Sequence, residues 1–379
     1  MLRTRPIRVV IRTDAAVHIG SGHVMRCLTL ANELRRCGAQ VTFVTRNWEG
    51  NLQAYIVSQG YQCLVLPRPN AHAHKEEEHN NSYASWLGVP CEYDAEETLA
   101  ILAQHGIDAV DWCITDHYAI DARWHRIMRG CAAHIMVIDD IANREHDCDV
   151  LLDQNLYDSP EARYEGRVPK DCLVLLGPTY ALLRPEFREV RRRLGKRIVR
   201  SGTVQRIVIF FGGSDPSNET SKAVRALHML GHREIQVDVI VGVANPHRCE
   251  VEELCMHMPN MHFHCQVPNM ADVMAQADLA LGAGGSTTWE RCCMGLPTIA
   301  MVIAENQAEM TETAARYGVQ WNLGWSRNCG SEDIAVALQN IMHDNALLHH
   351  MSFRAQQLVD GYGVQRVLKC SSFRNMLIG

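Results

Sequence analysis

No run in these 379 residues approaches the roughly 18–20 consecutive apolar residues that a membrane span needs. The first stretch, MLRTRPIRVVIRTD, has no long apolar core either; IRVVI is strand-sized and is broken by arginine. No signal peptide is read, and a cytoplasmic location with no membrane partner is expected. A basic excess is also missing. The 37 Lys and Arg stand against 43 Asp and Glu, a formal net charge of −6, so nothing electrostatic favours nucleic acid. There is no CxxC pair among the fifteen cysteines, and Cys27, Cys37, Cys113, Cys292 and Cys293 read as small buried hydrophobes rather than bridges or ligands. The fingerprint GxGxxG is absent, which disfavours NAD, and so is the GK[ST] ending of a Walker loop. What is present is an ordinary globular composition, 47% hydrophobic and 21% charged, at a length that favours two or three domains.

Short apolar runs alternate with amphipathic stretches nearly throughout. IRVVIR (7–12), QVTFVT (40–45), YQCLVL (61–66), AVDWCIT (109–115) and AHIMVIDD (133–140) read as strands, separated by helical patterns over 23–38, 51–59, 94–106 and 121–130. Continuous apolar strands between such helices indicate a parallel sheet covered on both faces. The pattern breaks over 140–200, where DVLLD and CLVLLG look like strands but the connections are irregular, and 184–202 reads as a basic linker or end-of-domain helix. It resumes with RIVIFFGG (206–213), IQVDVIVG (235–242), MHFHCQ (261–266), DLALGAGG (278–285) and LPTIAMV (296–302), followed by helical patterns over 331–343 and 345–376. A boundary near 195–203 divides an N-terminal Rossmann-like domain, 1–198, from a C-terminal one, 199–379. Residues 68–93 set His72, His74 and His79 among Glu76, Glu77 and Glu78. Without tetrahedral-ligand spacing they read as a solvated surface insertion rather than a metal site, and no metal or cofactor is expected.

The first chemical motif is IGSGH. It follows the first strand and opens the first helix. Gly20 and Gly22 permit close backbone approach, and helix N-terminal amides favour an anion. His23 falls in the first helical turn, where the helix dipole disfavours the imidazolium; a neutral imidazole suits a general base. A histidine that merely packs the helix is the plainer reading. Asp14, nearby, either orients His23 or a water, or holds the loop. Asp116, Asp139 and Asp140 end strands; neighbours at 139–140 point opposite ways on an extended chain, so a turn role is preferred to metal binding.

The second motif, GAGGSTTWE, follows a buried strand. Gly284 and Gly285 free the backbone, Ser286 and Thr287 begin a helix whose N-terminus suits a diphosphate, and Glu290 is placed to accept hydrogen bonds from ribose hydroxyls. FFGGSDPSNET repeats the logic with Gly213 and Ser214, and a helix is expected from about Asn218. Asn306 and Gln307 of AENQ are amides able to read a sugar or base at the same strand-end edge, or to cap the surface.

Taken in order, RTDAAVHIGSGHVMRCLTLA, TDHYAIDARW, IDDIANREHDCDVLLDQN, LLGPTYALLRPEF, FGGSDPSNET, GAGGSTTWERCCMGLP and AENQ resemble the PseG family, the UDP-2,4-diacetamido-2,4,6-trideoxy-β-L-altropyranose hydrolases of pseudaminic acid biosynthesis, over about 7–320. The resemblance implies an α/β, GT-B-like fold, similar to the MurG glycosyltransferase, with two Rossmann-like parallel-sheet domains facing each other across a cleft. It implies inverting, metal-independent hydrolysis of the C1–O bond, with a UDP-sugar and water as partners and a monomeric chain. The family's general base matches His23. Tyr118 and Asn306 match positions near the sugar, and Arg184 and Glu290 match substrate-binding positions. The 68–93 insertion and the C-terminal tail exceed the shorter members. Within the same fold, a MurG-like glycosyltransferase or a hydrolase of another UDP-diacetamido sugar fits the residues too, and a silent nucleotide-sugar binding protein is the reading from outside enzymology.

Overall fold

The computed structural model describes residues 5–69, 83–195, 199–200 and 202–370. The chain separates into two compact units, each built on one parallel sheet.

The sheet of the first unit has seven strands: β1 (Arg8–Thr13), β2 (Gln40–Arg46), β3 (Gln62–Leu66), β4 (Val110–Asp116), β5 (Ala132–Ile138), β6 (Val150–Asp153) and β7 (Leu173–Leu176), in the order β3-β2-β1-β4-β5-β6-β7. Every pairing is parallel. The two-residue period of a strand is visible in the packing. Val9, Ile11, Trp112, Ile114, Met136 and Ile138 enter one core, with helix Gly22–Arg36. Val10, Cys113, Ile135 and Val137 enter the other, against helices Cys91–Gln104 and Ala122–Met128. Both faces are therefore dry, which is why these strands read as unbroken apolar runs.

The second unit carries β8 (Arg206–Phe210), β9 (Gln236–Val241), β10 (Met261–Cys265), β11 (Leu279–Ala283), β12 (Thr298–Val302) and β13 (Trp321–Trp325), in the order β10-β9-β8-β11-β12-β13. In both sheets the order reverses beside the first strand, between β1 and β4 and between β8 and β11. Such switch points open a crevice at the carboxyl ends of the strands.

The sequence pattern misplaces several details. Within 140–200 the runs DVLLD and CLVLLG do form strands, β6 and β7, and both pair in parallel within the sheet, so the irregular connections do not interrupt it. Tyr164 pins this stretch, its hydroxyl donating to Asp153 Oδ2 at 2.9 Å and to Asp139 Oδ2 at 3.2 Å. β13 is an unexpected strand; it is half-exposed, contains Gly324 at φ 92° and pairs with a register shift, so it shows no alternation. The basic helix is only Pro185–Leu194, stopped at Gly195 with φ 53°. The final helix is broken into Asn345–Leu358 and Gly363–Lys369, with Gly361 at φ 83° between them.

The units also divide differently from the expected boundary. The first comprises the residues up to Asn155, Ser159–Leu182 and those from Gly363 onward; the second comprises Leu156–Asp158 and Leu183–Tyr362. Val364, Val367 and Leu368 explain the return, because they are buried in the first unit's core beside Leu182. All fifteen cysteines are free, and Cys27, Cys113, Cys292 and Cys293 are buried as expected, but Cys37 ends its helix and is exposed. No helix among the described residues is long and apolar enough to cross a membrane. The histidines at 72, 74 and 79, with Glu76–Glu78, lie outside the described residues.

Candidate active site

β1 ends at Thr13, and the chain then folds on itself. Gly20 adopts φ 83° and donates its amide to Ala16 O at 2.8 Å, closing a small loop that delivers Gly22 to the first position of helix Gly22–Arg36. His23 is the second residue of that helix. Across the switch point, β4 pairs with β1 so that Asp116 lies beside Thr13. Strand pairing and helix start together bring Asp116 Oδ1 to 2.6 Å from His23 Nδ1.

Arg26, one turn further along the helix, locks this contact. Its Nε and Nη2 donate to the two oxygens of Asp116 at 2.6 and 2.7 Å, and its Nη1 donates to Asp140 Oδ2 at 2.9 Å. Asp116 is completely buried. Burial alone would push its carboxyl up; the Arg26 guanidinium and the His23 ring override this and hold it below the usual carboxylate range. A carboxylate can only accept, so His23 Nδ1 carries the hydrogen and donates it. In the neutral ring the lone pair then falls on Nε2, which makes no hydrogen bond to the described residues. About 10% of the His23 side chain reaches solvent. A buried carboxylate that fixes the tautomer of a histidine with one open nitrogen is the arrangement of a general base.

Tyr118 stands two residues beyond Asp116. Its ring is buried and meets the His23 ring edge-on at 4.7 Å. Trp86 stacks on Tyr118 at 5.2 Å and approaches His23 edge-on at 6.1 Å, and Tyr83 packs edge-on against both Tyr118 and Trp86 at 4.9 Å. The last part of the supposed surface insertion thus forms part of the site.

Asp14 is not beside His23. It is wholly buried, pairs with Arg12 Nη1 at 2.7 Å, accepts from the Arg46 amide at 2.6 Å and faces His117 Nε2 at 3.4 Å. Burial pushes its carboxyl up, and Arg12 and His117 hold it below the usual range. Asp14 is held by these contacts, with no hydrogen bond to His23 among the described residues. At 139–140 the opposite orientations are as expected: Asp139 takes the Ala142 amide in a turn at 2.8 Å, whereas Asp140 turns back to Arg26.

In the second unit the glycines differ from one another. Gly284 donates its amide to Met301 O at 2.9 Å, so that amide is spent within the sheet edge. Its role is space: a Cβ there would sit 1.9 Å from Thr311 Oγ1. Gly285, Ser286 and Thr287 follow at the start of helix Thr287–Cys293, and their amides meet no backbone acceptor among the described residues. Gln307 closes over this loop. Its Nε2 would lie 3.3 Å from a Cβ at Gly285, and its Oε1 accepts from the Ile303 amide at 3.2 Å. Asn306 lies beside it in the turn Glu305–Gln307, a 3-10 turn that precedes helix Ala308–Arg316.

After β8, Gly213 crosses so close to Gly242 that a Cβ on Gly242 would be 2.3 Å from Gly213 O, and Ser214 is partly exposed. The helix that follows is Glu219–Leu230, and its N-terminus is already filled. Asp215 accepts from the amides of Glu219 and Thr220 at 3.0 and 2.9 Å, so an outside anion cannot use those donors. Glu290 is partly buried and lies 3.5 Å from Arg184 Nη2; burial pushes its carboxyl up, and Arg184 works against that shift. Asp116, Arg26, Tyr83 and Trp86 were missed in the sequence. Only the strand-end position of Asp116 hinted at a role.

The family model of the glycosyltransferase family 28 C-terminal domain matches residues 207–359. The chain is 24% identical over 364 residues to the spore coat polysaccharide biosynthesis protein SpsG of Bacillus subtilis, covering 95% of this chain and 96% of that protein. It is 22% identical over 316 residues to the UDP-2,4-diacetamido-2,4,6-trideoxy-β-L-altropyranose hydrolase of Campylobacter jejuni, covering 83% of this chain and 98% of that one. Among solved structures it resembles Acinetobacter baumannii MurG with a TM-score of 0.62 at 15% identity, covering 96% and 98% of the two chains. The likeness to the hydrolase family read from the ordered motifs is thus found over 83% of the chain, and the two Rossmann-like parallel-sheet units are those of a GT-B-like fold.

Proposed function

We propose that this chain is a UDP-sugar hydrolase that cleaves the C1–O bond to release UDP and the free sugar, and that its substrate is UDP-2,4-diacetamido-2,4,6-trideoxy-β-L-altropyranose. The observation that carries the reading is the His23–Asp116 contact at 2.6 Å, which leaves Nε2 as the basic nitrogen. The named activity of the Campylobacter relative supports the choice of bond and sugar.

In this mechanism His23 Nε2 takes a proton from a water on the sugar face opposite UDP. The water oxygen bonds to C1, the C1–O bond breaks, and its electron pair leaves with the diphosphate. Attack from the far face inverts the anomeric centre. Asp116 stabilises the imidazolium as it forms, as a buried carboxylate does in a hydrolytic triad. The amides at 285–287 stabilise charge gathering on the diphosphate, with Gly213 and Ser214 at the neighbouring strand end, while Glu290 and Arg184 hold the ribose side. Asn306, Gln307 and Tyr118 read the sugar. UDP is a good leaving group, so neither a strong acid nor a metal is required, and EDTA is expected to leave turnover unchanged.

The decisive experiment is NMR of the products formed from a panel of UDP-2,4-diacetamido sugars, recorded before the free sugar can mutarotate. An inverted free sugar and UDP are expected. His23→Asn is expected to lower kcat by at least about 10³-fold with UDP affinity nearly unchanged; a near-normal kcat removes His23 from the role. The family 28 match over 207–359 favours one alternative, a glycosyltransferase. Transfer that requires an added acceptor, with no release of free sugar in water, would establish it.

A further inference from the structure

The rings around His23 come from three separate stretches of chain. Tyr118 follows β4, His18 belongs to the loop after β1, and Tyr83 and Trp86 lie on and just before the one-turn helix Ala84–Leu87. Trp86 is the hub. It stacks on Tyr118 with an interplanar angle of 24° and meets Tyr83, His18 and His23 edge-on. Unlike Tyr118 it is only partly buried.

Its position is fixed by the two residues that follow it. Leu87 is buried in the core. Gly88 ends the helix at φ 71°, and a Cβ there would lie 2.6 Å from the Trp48 ring and 2.5 Å from Pro69. Trp48 in turn packs on His18 at 5.2 Å. A four-residue helix has little stability of its own, so this close seating is what holds Trp86 in place beside the candidate base.

We propose that Trp86 is a substrate-binding and specificity-determining residue, forming an aromatic wall that takes the apolar face of a sugar lacking the 6-hydroxyl. The inference rests on the UDP-sugar reading of the His23 site. Aromatic faces receive C–H and methyl groups well and offer a hydroxyl no proper partner. A hydroxyl pressed against the wall gives up its water for nothing, whereas a C6 methyl group gains burial. A hydrophobic surface discriminates such a change modestly, by roughly 10- to 100-fold.

The test compares a UDP-2,4-diacetamido-2,4,6-trideoxyhexose with its 6-hydroxy counterpart, on the wild-type chain, Trp86→Phe and Trp86→Ala. The wild type is expected to prefer the deoxy sugar in kcat/KM by roughly tenfold or more. In Trp86→Ala the KM for the deoxy sugar rises by a similar factor, kcat changes less, and the preference collapses; Trp86→Phe keeps most of it. Titration of both sugars into His23→Asn protein reads the same preference as a ratio of Kd values. Hydrolysis by the wild type with no change of KM or preference in Trp86→Ala overturns the wall and leaves the hydrolase reading standing. A Trp86-dependent binding preference without hydrolysis does the reverse. Equal loss of kcat on both sugars, with KM unchanged, makes Trp86 a structural residue only and also overturns the proposal.

Discussion

Asp116 serves His23 and Arg26 at once, and its substitution separates them. An amide in its place can donate to His23 Nδ1 and so move the ring hydrogen to Nε2, which destroys the base. Asp116→Asn is expected to lower kcat by about 10³- to 10⁴-fold. It also breaks the buried Arg26–Asp116 ion pair and leaves Asp140 as the carboxylate partner of Arg26, a loss expected to cost up to about 3–5 kcal/mol. Both effects are measurable on one sample, by turnover at a temperature where the variant is still folded and by its urea midpoint. A kcat within tenfold of wild type would remove Asp116 from the chemistry. At this scale the sequence was half legible. His23 stood out because glycines flanked it at a strand-to-helix turn. Asp116 did not, since 93 positions separate it from His23 and only the β1–β4 pairing closes that distance. Trp86 was hidden for another reason: it lies at the end of a polar stretch whose composition resembles surface.

The strand ends were the most legible elements. β1, β4, β8 and β11 are apolar runs stopped by glycine or aspartate, and the sheet order places them in pairs around two switch points. The edge strand β13 was not, because it is half-exposed and pairs with a register shift, so it shows no alternation. Within the GAGG turn the glycines do different work, and only coordinates separate them. Gly284→Ala drives a methyl group into Thr311 Oγ1, 1.9 Å away. Overpacking of this kind costs roughly 1–3 kcal/mol. The double variant Gly284→Ala/Thr311→Gly is expected to recover much of that loss, since it removes the obstructing side chain. Urea unfolding of both variants checks the pair, and equal destabilisation with no recovery would place the strain elsewhere.

Across the whole molecule the buried charges are unevenly shared. Asp14, Asp94, Asp116 and Asp139, all in the first unit, are held below the ordinary carboxylate range because their arginine and histidine partners outweigh burial. Burial and Asp140 push one carboxyl there, Asp153, the other way. Among the described carboxylates of the second unit only the exposed Glu234 is shifted down, chiefly by backbone hydrogen bonding. A depressed carboxylate stabilises the fold fully above its unfolded pKa of about 3.9 and loses that contribution as the pH falls toward the folded value. Four such groups against one predict that the first unit fails first in acid. Pepsin at about pH 3, with the fragments identified by mass, is expected to cut the first unit while the second persists; early cleavage confined to the second unit would contradict this. The division into units itself was legible only in part. The βα alternation announced two sheets, but nothing local marked the last helix as part of the first.

That last helix has a consequence for how the chain is made. Gly363 packs so tightly that a Cβ would lie 2.2 Å from Ala181 O, and Val364, Val367 and Leu368 complete a core whose first member is Ile7. On the ribosome, domains generally fold as they emerge, the N-terminal one first. Here the unit whose strands precede Leu183–Tyr362 must wait for Gly363–Lys369, which follow that segment, before its core is whole. The unit encoded second, Leu183–Tyr362, is complete earlier. Order of translation and order of completion are thus reversed.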